Sequence, residues 1–271
     1  MAHPFSLHEL AARCVASSTV ADKLALTADT AARFASGDAA IDDAPFGVAS
    51  LPTSPGRPER PHLVAPRALP QRGLASAEGR VALVHAVAHI EFNAINLAWD
   101  AVARFRGLPR EYYADWVGVA VDEARHFGWL SARLAELGFA YGDLDAHHGL
   151  WEMAVKTADS CLARMALVPR VLEARGLDVT PGMIARLRSV GDSATVTILE
   201  GILREEVAHV AAGSRWFAWC CEREGVDPAA TFEALVATHL RGTLRGPFNA
   251  EARLAAGFTA AELARLDELA A

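Results

Sequence analysis

The sequence predicts an all-α fold, a four-helix bundle of two antiparallel hairpins joined by a crossover, and three observations point to it. Apolar residues recur at helical spacing along most of the chain, and no stretch alternates with period two over strand length. Four periodic segments are about 26–32 residues long, roughly 40–48 Å at the α-helical rise. Glycine- and proline-marked turns separate them into two pairs, with a link of about eleven residues between the pairs that reaches about 35 Å if extended. Short turns make antiparallel neighbours, and the longer link can return along the bundle before the second pair begins.

The elements follow in order. Ser6 and Glu9 form a capping-box pattern, and helical spacing continues to about Phe34, before Gly37, which predicts an N-terminal helix in 1–37. Seven of the thirteen prolines then lie within 45–70, a density that neither helix nor central strand tolerates. Residues 38–75 therefore read as an extended connector that either wraps over the surface or tethers two parts. The bundle occupies 76–225. Its first helix runs over 76–106 and ends at Gly107, and its second starts near Pro109 and ends at Gly138. The third spans 149–175 before Gly176. The fourth opens at Thr180-Pro181, is interrupted at Gly191-Asp192 and continues to Glu224. A C-terminal helical extension, 226–271, starts at Asp227-Pro228 and ends in a helix capped by Thr259 and Glu262.

Composition narrows the functional classes. The chain has 271 residues, 52% hydrophobic and 22% charged, which is enough to build a sizeable core. MAHPFSLHEL carries no secretory pattern, and no uncharged apolar run reaches the roughly 18 residues of a spanning helix. Cys14, Cys161, Cys220 and Cys221 lack CxxC spacing, as expected of thiols in a reducing cytoplasm. A net charge of −7 argues against a broad nucleic-acid footprint. Arg57, Arg60, Arg67 and Arg72, with Arg241, Arg245 and Arg253, read as solvated charge. No membrane and no nucleic-acid partner is expected, and a homodimer is compatible with a bundle of this kind.

The four long helices carry Glu91, then Glu123 and His126, then Glu152, then Glu206 and His209. Residues three apart share a helical face, so each Glu-x-x-His can offer a carboxylate and an imidazole to one metal centre. Buried carboxylates without cations would be heavily penalised. The motif alone is weak: eighteen glutamates and ten histidines give about 0.7 chance matches, and one of the three present, Glu59 to His62, lies in the connector. Register adds weight. Glu91 is 17 positions before a turn at about 108, and Glu123 is 15 after it. From a second turn at about 178, Glu152 is 26 before and Glu206 is 28 after. Glu173 would lie about 35 Å below Glu206 by this count, so Glu152 is preferred.

Asp159, two turns after Glu152, could orient a ligating imidazole. His85 and His89 compete with Glu91, which lies about 200° around the helix from His89, and Glu205 competes with Glu206. The bland alternative for the whole set is a solvated helix face with ion pairs at the helix ends.

Longer blocks carry a family resemblance. GLWEMAVKTADSCLARMALVPRVLEARGLDVTP from Gly149, AHIEFNAINLAWD from Ala88, DEARHF, REEVAHV and RGPFNAEARLAAGF resemble a bacterial branch of the ferritin-like superfamily. More distantly, the pattern is similar to ferritin-like tRNA hydroxylases that oxidise a modified adenosine. The resemblance implies a pair of iron ions, with manganese as the alternative, held by Glu91, Glu123, His126, Glu152, Glu206 and His209. It implies no catalytic side chain beyond these ligands.

Three functions follow as expectations. The first is an oxidoreductase that uses O2 or peroxide to oxidise a small molecule or modified nucleoside. The second is a ferroxidase or other metal-handling protein without an organic substrate. The third is a non-enzymatic helical interaction protein that uses the connector as a docking peptide.

Overall fold

Side-chain caps set most helix starts in the computed structural model, which describes residues 5–70, 72–240 and 244–270. Arg241 lies outside the described residues. The chain divides after Val155 into two compact units. Both are helical, and the described strands are two residues long.

In the first unit, β1 (Phe5–Ser6) leads into α1 (Leu7–Ala16), followed by α2 (Val20–Ser36). The expected single N-terminal helix is thus two. Ser17 turns to extended backbone, and the Thr19 hydroxyl accepts the Asp22 N–H at 3.1 Å to start α2. Lys23, buried on α2, donates to the freed carbonyls of Cys14 and Val15 at 2.7 and 3.2 Å. β2 (Ala39–Ala40) pairs parallel with β1.

The connector lies on this unit as a wrap. β3 (Gly47–Val48) pairs antiparallel with β4 (Phe105–Arg106). The Gly56 N–H donates to Val15 O at 2.8 Å, and Trp151 Nε1 donates to Thr53 O at 2.8 Å. The Val64 N–H donates to Ala146 O at 2.8 Å and the Ala146 N–H to His62 O at 2.9 Å, just before a 3₁₀ turn at Pro66–Ala68. Prolines suit such a path because few of its amides need to donate.

α3 (Ala77–Arg104) and α4 (Arg110–Glu136) form the central hairpin, with α1 against α3 and α2 against α4. Gly107 makes the turn at φ +66°, and a Cβ there would collide with the backbone of Pro45 and Phe46. Trp99 is fully buried and donates Nε1–H to Thr27 Oγ1 at 2.9 Å. Among the described residues α3 alone has the length and mean hydropathy (1.3 in its most apolar window) to cross a membrane, and 78% of that window is buried in the protein. α5 (Gly149–Lys156) closes the unit.

The second unit contains α6 (Cys161–Leu167), a π-helix (Val168–Glu173), α7 (Ala174–Ser189), α8 (Ser193–Glu224), α9 (Pro228–His239), α10 (Ala250–Ala255) and α11 (Ala260–Ala270). Two expectations are corrected here. The predicted helix over 149–175 is broken at 157–160, where Ser160 Oγ accepts the Ala163 N–H and starts α6 anew. The predicted turn at Gly176–Pro181 is absent, because Pro181 sits inside α7. Proline has no N–H for the carbonyl four residues back, and the Asn249 amide donates to that carbonyl, Leu177 O, at 3.1 Å. The turn comes at 190–192, with Gly191 at φ +76° and Asp192 capping α8 through the Thr195 N–H. What the sequence reads as an interruption is the hairpin turn itself.

Candidate metal centre

α3 and α4 bring three predicted ligands together. Glu91, Glu123 and His126 are 4%, 1% and 0% exposed, on a hairpin whose turn lies nearly midway between Glu91 and Glu123. His126 Nδ1 stands 3.2 Å from Glu91 Oε2 and 3.5 Å from Glu123 Oε2. One ligand atom from each of the three lies within 4.8 Å of the other two. Two carboxylates this close repel by at least about 3 kcal/mol at an effective dielectric of about 20.

The repulsion calls for a cation. Burial disfavours charge on the His126 ring, but the hydrogen bonds and charges of Glu123 and Glu91 outweigh it and raise its pKa to about 11. Without metal, a proton sits where positive charge is needed. Two carboxylates and an imidazole, all buried, are a donor set that suits a divalent cation, so the residues fit a metal.

Buried apolar side chains share these two helices. Trp116, Phe127 and Leu130 are buried on α4, and the Phe92 and Phe127 rings lie 5.5 Å apart. The Trp129 ring lies 5.4 Å from that of His126.

The competing α3 histidines have other partners. His89 Nδ1 accepts from Tyr141 Oη at 2.9 Å, and its Nε2–H donates to His147 O at 3.1 Å. His85 Nε2 accepts the Gly142 N–H at 3.0 Å. Both serve the link between α4 and α5, while Glu91 faces His126.

In the second unit, α8 carries Glu206 and His209, 9% and 2% exposed, with Nδ1 3.5 Å from Oε1. This repeats the Glu123–His126 spacing. Glu206 is buried beside His209, whereas Glu205 is half-buried one position round the helix.

The remaining two predicted residues are elsewhere. Glu152 is exposed on the eight-residue α5, and Asp159 is exposed in the break before α6. Neither joins a buried cluster. The reason is the misplaced turn. Counted from Gly191, Glu206 is 15 positions after the turn and Glu173 is 18 before it, close to the 15 and 17 of Glu123 and Glu91. Glu173, half-buried at the end of the π-helix, therefore holds the place in this hairpin that Glu91 holds in the first. π-Turns inside helices are often found at functional sites. The available signal was Pro169 within an otherwise helical pattern, together with the αL demand at Gly191.

Comparison with known proteins gives a family without an assigned activity. Residues 16–264 match the family described as "Protein of unknown function (DUF455)". The chain is 46% identical over 213 residues to a protein of Haemophilus influenzae whose printed name is "Uncharacterized protein", covering 76% of this chain and 74% of the relative. No solved structure matches the chain.

Proposed function

We propose, for a chain that belongs to the DUF455 family of proteins of unknown function, a di-metal carboxylate oxidoreductase on a ferritin-like bundle. The observation that carries the reading is the buried convergence of Glu91, Glu123 and His126, with the same Glu-x-x-His geometry repeated at Glu206 and His209. In this reading Glu123 with His126 and Glu206 with His209 each hold one ion. Glu91 and Glu173 supply the remaining carboxylates, and Glu173 takes the role that the sequence assigns to Glu152.

A bound iron or manganese pair would supply electrons for two-electron reduction of O2 or peroxide. The chain's own residues do the rest. The carboxylates neutralise the ions, and the imidazoles fix one coordination direction each. The burial of Glu91, Glu123 and His126 keeps bulk water from the reacting atoms. The four cysteines are buried thiols outside any disulfide, which suits a cytoplasmic protein. The substrate is proposed as a small molecule or modified nucleoside.

Oxygen uptake by iron-loaded protein tests the activity. Uptake that rises with an organic candidate and yields its oxidised product supports an oxidoreductase. Uptake proportional only to added Fe(II), indifferent to every candidate, replaces it with metal handling. No uptake in either form sinks both and leaves the interaction-protein reading.

A further inference from the structure

The block RGPFNAEARLAAGF has no part in the proposed ligand set, yet its side chains grip the π-helix. Arg253 is 1% exposed and forks onto Asp178, with Nε 2.9 Å from Oδ1 and Nη2 2.8 Å from Oδ2. Its Nη1 donates to Arg170 O at 3.4 Å. That carbonyl matters because the Ala174 N–H passes it by and bonds to Pro169 O, five residues back. Asn249 adds two bonds, from its N–H to Asp178 Oδ1 at 2.9 Å and from its amide to Leu177 O.

A second anchor lies beside the first. The Arg170 side chain is 2% exposed, donates to Ser214 Oγ at 3.2 Å and pairs with Glu262 Oε1 at 2.7 Å. Its guanidinium lies 4.3–4.8 Å from the ring centres of Phe217, Phe232 and Phe258. Across the helix pair, Gly213 of α8 leaves room for the Pro169 ring, which any Cβ there would strike.

We infer that Arg253 and Glu262 are positioning residues, which hold the π-helix in its five-residue hydrogen-bond register and thereby aim Glu173 along the face of the α7–α8 hairpin that carries Glu206. This rests on the di-metal reading above. A π-turn amounts to one inserted residue, so its collapse to α geometry rotates one side of the helix by about 100° relative to the other. That rotation would carry Glu173 off the face.

Arg253→Lys keeps the charge but cannot fork, and Arg253→Met keeps much of the volume. Glu262→Ala removes the carboxylate that pairs with Arg170, and Glu262→Gln, which restores an acceptor, is its conservative rescue. Each is compared with wild type by hydrogen exchange of peptides covering 168–173, Co(II) stoichiometry and the visible Co(II) spectrum. The inference expects folded Arg253 variants with exchange at 168–173 at least about tenfold faster, a changed Co(II) spectrum and about tenfold weaker binding of one ion. Glu262→Ala should speed exchange at 168–173 and change the Co(II) spectrum in the same direction, and Glu262→Gln should recover part of both. Two ions with an unaltered spectrum and unaltered exchange in both Arg253 variants and in Glu262→Ala, with only a lower Tm, would overturn the positioning role while sparing the metal reading. Wild-type protein that binds no Co(II) would overturn both.

Discussion

The Glu91 carboxylate on one helix stands 3.2 Å from the His126 ring on the next. The pair is set by counting: the turn at Gly107 gives Glu91 and Glu123 similar heights, and the three-residue step from Glu123 turns His126 to the same side. Burial makes the contact consequential, because the two carboxylates and the imidazole must share whatever positive charge the site acquires.

The two candidate fourth carboxylates give opposite predictions. Glu173→Ala should reduce metal affinity by tenfold or more, and Glu152→Ala, at an exposed position, should leave it unchanged. Isothermal titration with Mn(II) reads both. The reverse pattern would restore the register counted from a turn near 178.

Pro181 and Asn249 should be coupled. Asn249→Ala removes the donor to Leu177 O and the cap on Ala252 N–H, at a cost of about 1–2 kcal/mol. In a Pro181→Ala background the new N–H can take Leu177 O, so the same change should cost about 1 kcal/mol less. A double-mutant cycle by urea unfolding measures the difference, and strict additivity would contradict it.

Acid should destabilise the protein partly through His8. This ring is fully buried, donates Nδ1–H to Val102 O at 2.8 Å and has no partner for Nε2 among the described residues. Burial lowers its pKa below 6.5, against the opposing Val102 bond, and Arg106 lowers it further. The unfolded chain therefore binds the proton first. The stability this neutral ring contributes is complete above about pH 6.5 and declines as pH falls below it, by at most about 1.4 kcal/mol per pH unit. His8→Phe should flatten that part of the stability profile in chelator-treated protein, measured by urea unfolding between pH 7 and 5. An unchanged slope would show that His8 is not a source.

Legibility in the sequence differed between the two hairpins for physical reasons. Gly107 and Pro109 mark the first turn locally, so the register of Glu91, Glu123 and His126 can be counted from the sequence alone. In the second hairpin, Gly176 and Pro181 give stronger local stop signals than Gly191, yet both lie inside α7. Asn249, some seventy residues away, supplies the donor that Pro181 lacks, and no local pattern announces that partner. The π-helix is hidden for the same reason, since Gly213, Ser214, Arg253 and Glu262 support it from distant positions. Glu206 and His209 were legible because their pairing is internal to one helix. Glu173 was not, because its place depends on where the turn falls.

Ions bound per chain, determined by elemental analysis after anaerobic loading with Fe(II) and removal of free metal, test the central claim most directly. The account predicts two ions in the wild-type protein and a loss of at least one in Glu123→Ala and in His209→Ala, each with its helical content intact. A wild-type chain that retains none, or variants that retain the full complement, would contradict it.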